Sequence, residues 1–256
     1  MSEKIINVSF ISTFDRTRQT YLMQKPRNSK CCGIFIYLHG ATNHQEQGFD
    51  REIFNGTFAR LQDFLYESNY VYVCPEYRGD SWMNEPAESD MKQLIGFLKE
   101  KFNTVNIFIA GGSMGGTGSL IFTARNTHLV SGVLALCPAT DITELYFSWS
   151  NPDKDFLART IESAYEGDPE KVPDEYRRRS AIYLVERFHS IPLAIIHGDA
   201  DMLIPVEHSR SFVKKAIDCG IRIFYREIKG GDHDSPVKDF NLIKEALIWI
   251  MSIKAR

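Results

Sequence analysis

The chain reads as a single α/β domain, residues 1–256, built on a mostly parallel twisted sheet with helices on both faces. Three observations predict it. From residue 33 onward, short β-branched apolar runs alternate with stretches of helical periodicity, the pattern of strands covered on both sides. A glycine-rich hexapeptide, Gly111-Gly112-Ser113-Met114-Gly115-Gly116, stands where one such run gives way to a helical stretch. With 43% of its 256 residues hydrophobic, the chain can fill one sizeable core, and no linker-like composition shift divides it.

The elements follow in order. Ile5–Ile11 and Thr20–Gln24, separated by the polar Asp15-Arg16-Thr17-Arg18, predict an antiparallel hairpin on one edge of the sheet. The remaining strands are expected at Gly33–Leu38, Val71–Cys74, Val105–Ala110, Val130–Cys137, Leu193–Ile196 and Ile221–Ile228. Between them, Phe54, Phe58, Leu61 and Leu65 share one helical face, as do Met91, Leu94, Ile95 and Leu98; another helix runs from Met114 through Leu120, Ile121 and Ala124. Ser235-Pro236 announces a final helix carrying Phe240, Ile243, Leu247 and Ile250. Residues 138–190 break the alternation: they hold Tyr146, Phe147, Trp149, Phe156 and Tyr165 and the charged Lys171–Arg179, but no strand pattern. They form either a small helical lid over a site at the strand ends or a structural excursion packed on the core.

Bulk properties exclude several classes. A formal net charge of -3 without a basic stripe gives nucleic acid and anionic membranes no purchase. Met1-Ser2-Glu3-Lys4 leads into no apolar signal core, and no run approaches the roughly 18 apolar residues of a membrane span. The cysteines are odd in number, Cys31, Cys32, Cys74, Cys137 and Cys219, with no metal-ligand spacing, so a reducing, cytoplasmic location is expected; Cys74 and Cys137 end strand-like runs and read as buried thiols.

Chemistry concentrates in three places. Gly111-x-Ser113-x-Gly115 is the spacing of a strand-to-helix turn so sharp that bulky neighbours are excluded, which lifts the serine hydroxyl clear of the sheet. A glycine-rich βα turn with a capping serine is the structural alternative. The helix beginning at Met114 would aim its unpaired N–H groups at that hydroxyl. A serine hydroxyl is a poor nucleophile and needs a histidine base oriented by a carboxylate. The loop after Leu193–Ile196, His197-Gly198-Asp199-Ala200-Asp201, can supply the acid. The loop after Ile221–Ile228, Gly230-Gly231-Asp232-His233-Asp234, carries one histidine just ahead of the last helix.

The other polar candidates have plainer readings. His39 and His197 precede glycines at strand ends and are expected to hydrogen-bond locally, while His44, His128, His189 and His208 have no partner signal. Asp234 suits a helix cap and Asp232 a solvated position. Arg78 is expected to pair with a nearby acid rather than bind substrate, and Trp82 and Trp149 suit packing as well as a pocket wall.

On Leu38-His39-Gly40, Tyr77-Arg78-Gly79, Gly111–Gly116, His197-Gly198-x-x-Asp201-x-x-Ile204-Pro205 and Gly231-Asp232-His233, the chain resembles the α/β-hydrolase superfamily. In particular it resembles single-domain esterases and peptidases similar to the catalytic domain of the prolyl oligopeptidase family. The resemblance spans residues 33 to 250. It implies the α/β-hydrolase fold, with Ser113, Asp201 and His233 as catalytic triad in that chain order and Asp199 shaping the turn. The backbone N–H groups of Met114 and of Ala41, in the loop after Gly33–Leu38, would form the oxyanion hole. The larger prolyl peptidases lead one to look for a tyrosine donor, and none can be placed here. The implied activity is a serine carboxylesterase acting on a small-molecule ester, with no metal or organic cofactor required. An amino- or oligopeptidase acting on short peptides and a non-catalytic hydrolase-fold binding protein are the alternatives.

Overall fold

In the computed structural model, which describes residues 5–150 and 154–253, the chain enters through an antiparallel hairpin, β1 (Ile6–Ile11) and β2 (Arg18–Gln24). The parallel strands are β3 (Gly33–Leu38), β4 (Tyr70–Pro75), β5 (Ile107–Gly112), β6 (Gly132–Leu136), β7 (Leu193–Gly198) and β8 (Ile223–Ile228). The sheet order is β1-β2-β4-β3-β5-β6-β7-β8, so β2 joins the parallel strands antiparallel, through β4. Met1–Lys4 and residues 151–153 of the expected insertion lie outside the described residues.

The helices are α1 (Ile53–Glu67), α2 (Glu85–Phe102), α3 (Met114–Arg125), α4 (Ile142–Trp149), α5 (Asp155–Tyr165), α6 (Pro173–Arg178), α7 (Glu207–Asp218), α8 (Ser235–Lys238) and α9 (Phe240–Ser252). Strand alternation divides the core. Ile34, Ile36 and Leu38 of β3 meet Met91, Leu94, Ile95 and Leu98 of α2 on one face, whereas Phe35 and Tyr37 meet Phe58, Leu61 and Leu65 of α1 and Leu247 of α9 on the other. Each such fully buried side chain contributes about 1.5–3 kcal/mol of transfer free energy. Asn84 starts α2, its side chain accepting from Ala87 N at 3.2 Å. None of the described helices is long and apolar enough to cross a membrane.

Most strand ends shift by one or two residues from the sequence reading, and three of the differences along the chain have a plain physical reason. β5 begins two residues late, at Ile107, and extends through Gly112, because Gly111 and Gly112 pair with Leu38 and Leu136 on the flanking strands. Phe54 is not on the buried face of α1: Phe54, Asn55 and Gly56 have positive φ, and regular helix starts only after them. The C-terminal helix breaks at Asp239, whose carboxylate accepts from Leu242 N at 3.0 Å and restarts the chain as α9.

Between β6 and β7 the described residues hold α4, α5 and α6 and two short 3-10 turns, and no strand. Aromatic residues tie this segment to the body. Trp149 packs edge to face on Trp82 with centroids 5.7 Å apart, Trp82 Nε1 donates to Thr160 Oγ1 at 2.9 Å, and Tyr165 Oη donates to Trp82 O at 2.9 Å. Buried Arg179 reaches across from the same segment to Glu175, to Glu88 on α2 and to Met83 O. Arg78 pairs with Asp15 and Asp90, each at 2.6 Å, and so fastens the hairpin turn to α2, the structural role expected of it.

Candidate active site

Strand register brings five C-terminal ends to one edge. Leu38 is level with Gly111, Gly112 with Leu136, Leu136 with Ile196, and Gly198 with Ile228. The loops leaving these strands carry Ala41, Ser113, Cys137, Asp201 and His233 respectively.

Ser113 occupies the turn between β5 and α3 with φ 57° and ψ −122°, a region that L-residues seldom populate. Its neighbours explain the glycines. A Cβ on Gly111 would lie 2.8 Å from Leu38 O, one on Gly115 2.7 Å from His39 O, and one on Gly116 2.6 Å from Leu136 O. All three obstacles are backbone, so no side chain can move aside. Ser113 N donates to Leu136 O at 2.9 Å, holding the turn to β6. The hydroxyl makes no hydrogen bond among the described residues. It sits at the N-terminus of α3, whose aligned peptide dipoles place roughly half a positive charge there.

Asp201 is the buried hub of the arrangement, its side chain 0% exposed. Oδ1 accepts from the backbone N–H groups of Leu203 at 2.8 Å and Ile204 at 2.9 Å. Oδ2 accepts from His233 Nδ1 at 2.6 Å and from His197 Nε2 at 3.2 Å. Burial alone would raise its pKa, but the hydrogen bonds from His197 and His233 outweigh it and hold the carboxyl well below the usual range. His233, 19% exposed, feels the converse: burial opposes its charged form, the neighbouring Cys137 sulfur and Asp201 carboxylate favour it, and its pKa lies above 6.5. Asp199 stays outside this cluster and accepts from Gly230 N, linking the acid loop to the histidine loop. Gly198 is needed where those loops cross, since a Cβ there would meet Asp232 O at 2.5 Å.

Ser113 and His233 line one cavity of about 370 Å³, without a hydrogen bond between them. Ala41 lines it too. The N–H groups on either side of Ala41 are engaged, Gly40 N with Gln47 Oε1 at 2.9 Å and Thr42 N with Asp80 Oδ1 at 2.6 Å. Those of Ala41 and Met114 have no partner among the described residues. Tyr77 Oη donates to His39 O at 2.6 Å, bracing this loop rather than entering the cavity. Tyr37, Phe54, Trp149, Phe156, Leu157 and Val237 make the wall mostly apolar, and Lys154 and Asp234 are its charged groups. Lys154 Nζ donates to Met202 O at 2.5 Å, and Asp234 pairs with Lys238 at 3.1 Å.

The capping role expected of Asp234 falls to Asp232, which is exposed as expected. Asp232 accepts from Ser235 N at 2.9 Å and so starts α8, while Asp234 makes no capping bond and lines the cavity. Sequence reasoning also missed the depth of His197. This fully buried ring bonds Ser209 Oγ at 2.7 Å through Nδ1 and Ile204 O at 2.9 Å through Nε2, closing the acid loop under Asp201. Its signal was the four-residue spacing to Asp201.

A family model described as BD-FAE matches residues 20–216. No curated protein matches the sequence. Among solved structures, FphF, a fluorophosphonate-binding serine hydrolase of Staphylococcus aureus, is similar over 98% of this chain and 99% of its own, with TM-score 0.74 and 15% identity. Est1E from Butyrivibrio proteoclasticus is similar over 95% and 96%, with TM-score 0.68 and 20% identity. The acylaminoacyl peptidase of Pyrococcus horikoshii is similar over 96% of this chain but only 41% of its own, with TM-score 0.74 and 16% identity. The chain likewise spans 36% of the length of a Bacteroides ovatus protein described as a candidate dipeptidyl aminopeptidase IV. Since the model's match covers well over half of the sequence, the chain belongs to the BD-FAE family, and the twisted sheet with its flanking helices that it shares with these structures is the α/β-hydrolase fold.

Proposed function

We propose that this protein is a serine hydrolase that cleaves carboxylic esters through an acyl-enzyme. The observation that carries the reading is the 2.6 Å bond from His233 Nδ1 to buried Asp201, in a histidine that shares a cavity with a serine on a strained turn. That bond leaves the Nε2 lone pair free to take the Ser113 proton. Ser113 Oγ then attacks the ester carbonyl, and the N–H groups of Ala41 and Met114 receive the oxyanion, donors of a kind worth roughly 10²–10³ in rate each. His233 returns the proton to the leaving alcohol, and a water activated by the same ring releases the acid. The Ser113–His233 contact forms when substrate is bound, as such contacts commonly tighten only in the complex.

The chain acts in this reading as one domain on a small ester or short peptide, with residues 138–190 as a lid whose Trp149, Phe156 and Leu157 shape the cavity. Ester is favoured over peptide by the cavity's charges. An aminopeptidase must hold a substrate ammonium, and Asp234, the acid on the wall, is already paired with Lys238. Hydrolysis of p-nitrophenyl butyrate set against aminoacyl-nitroanilides tests the choice. The ester is expected to be the better substrate, with Ser113→Ala lowering kcat by roughly 10⁴–10⁶; faster cleavage of the anilides would transfer the assignment to the peptidases.

A further inference from the structure

Cys137 takes no part in the chemistry above, yet it stands beside it. Its Sγ, a ring nitrogen of His233 and a carboxylate oxygen of Asp201 all lie within 4.8 Å of one another. The thiol is free, almost fully buried, and lines the cavity. It is carried at the end of β6 by a backbone with φ 41°, pinned by the bond from Cys137 N to Ile196 O at 2.8 Å. The three donors come from three separate loops that are fixed by strand register, so their convergence is a property of the fold.

We propose that Cys137, Asp201 and His233 form a binding site for a single borderline-soft divalent cation such as Zn²⁺, and that its occupancy blocks turnover. One sulfur, one imidazole nitrogen and one carboxylate oxygen are a donor set that suits Zn²⁺ and not Mg²⁺ or Ca²⁺, which take oxygen ligands throughout. Tetrahedral Zn²⁺ with ligand bonds of about 2.0–2.3 Å separates its donors by roughly 3.3–3.7 Å. From within 4.8 Å of one another the donor atoms reach that spacing by closing about 1.5 Å at most, and the 2.6 Å Nδ1···Oδ2 pair opens by about 1 Å. Outer-shell support is in place. Leu203 N and Ile204 N hold the other oxygen of Asp201, and His197 braces Oδ2. Two of the three ligands, Cys137 and His233, line the cavity, from which a water molecule would complete the tetrahedron.

The exchange balances without redox chemistry. The cation takes the Nδ1 lone pair, so neutral His233 carries its hydrogen on Nε2, and Cys137 gives up its thiol proton to solvent as the Zn–S bond forms. One proton leaves per metal bound, two when His233 starts as the imidazolium. An Nε2 that carries hydrogen cannot accept the Ser113 proton, which is why turnover stops. Binding rests on the donor geometry alone, whereas the block rests on the proposed mechanism.

The test is Co²⁺ titration of the full chain at neutral pH, read by thiolate-to-cobalt charge-transfer absorption in the near ultraviolet. Saturation at one equivalent is expected, with the absorption lost in Cys137→Ser and kept in Cys32→Ser. Zn²⁺ should inhibit ester hydrolysis reversibly to EDTA, and Cys137→Ser should weaken that inhibition by at least the roughly 10- to 100-fold that even an outer-shell partner costs. Absorption that survives in Cys137→Ser, or no stoichiometric binding, overturns the site. Should Cys137→Ser fail to fold, Zn K-edge absorption of the Cys31→Ser/Cys32→Ser/Cys74→Ala/Cys219→Ser protein, which keeps Cys137 as its one thiol, decides: a sulfur shell near 2.3 Å supports the site and its absence refutes it. Cobalt binding through Cys137 in a protein that hydrolyses no ester would leave the site standing and remove only the catalytic reading.

Discussion

Asp201→Asn changes one atom of the buried hub, and its effect can be worked from the four bonds that atom group makes. Asn keeps a carbonyl oxygen for Leu203 N and Ile204 N, and this orientation turns its NH₂ toward the two imidazoles. His197 loses little, because Ile204 O already accepts from its Nε2 at 2.9 Å. Beyond Asp201 only the Cys137 sulfur, a weak acceptor, stands near the His233 ring, so Nδ1 is expected to present its lone pair to the NH₂ and the hydrogen to move to Nε2. In that tautomer the ring cannot accept the serine proton. The expected loss in kcat is roughly 10⁴, the size of effect this tautomer switch has in Ser-His-Asp sites, and about 5.4 kcal/mol of transition-state stabilisation. Folding stability should fall by about 1.5–3 kcal/mol for the charge-assisted bond. Single-turnover acylation by p-nitrophenyl butyrate, with urea unfolding to confirm a folded variant, measures both. The pH profile separates orientation from charge: in the wild type kcat/KM should rise through an inflection above 6.5, since Asp201 favours the imidazolium, and in the variant the inflection should move to lower pH. Turnover within tenfold of wild type with an unmoved inflection would refute the reasoning.

Gly115→Ala puts a methyl 2.7 Å from His39 O and closer still to Leu38 O, both backbone, so the end of β3 must yield. A loss of about 1–3 kcal/mol in urea unfolding is expected, together with a kcat reduced by about 10² as Ala41 is displaced; an unchanged midpoint would count against the close approach. Stability should also depend on pH through the Asp201–His233 pair. His233 is raised above 6.5, so its contribution is full below 6.5 and lost as pH rises through the folded value; Asp201 is lowered from 3.8, so its contribution is present above 3.8 and lost on acidification. The stability gap between wild type and Asp201→Asn should therefore be widest between about pH 4 and 6.5, and a gap flat from pH 3 to 10 would contradict the pairing. Trp149→Phe removes the 2.8 Å bond to Leu203 O beside the acid loop and trims the cavity wall. It should cost about 1 kcal/mol and raise KM for bulky esters more than it lowers kcat, which ester kinetics would show.

The sheet was legible because its strands are nearly continuous apolar runs, and β3 falls on Gly33–Leu38 in both readings. Ser113 and His233 are legible for a related reason: each follows a strand, in a loop whose glycines are spaced for close backbone approach, and such spacing survives in one dimension; the loop of Asp199 and Asp201 is legible too, but the preference for Asp201 comes from the family resemblance. What the sequence hid depends on contacts between distant segments. Nothing in the run Val130–Cys137 says that the last side chain ends beside His233, since that follows from the register of β6 against β7 and β7 against β8. Phe54 has the spacing of a core residue, yet the positive φ values at Phe54, Asn55 and Gly56 hand it to the cavity wall. The break at Asp239 is equally local, an acid capping a new helix inside an otherwise regular apolar period.

Covalent capture tests the central claim most directly. The full chain treated with a fluorophosphonate should gain one adduct per molecule, mapped by peptide mass to Ser113 and absent from Ser113→Ala. An unmodified wild-type chain, or an adduct on any other residue, would contradict Ser113 as the nucleophile.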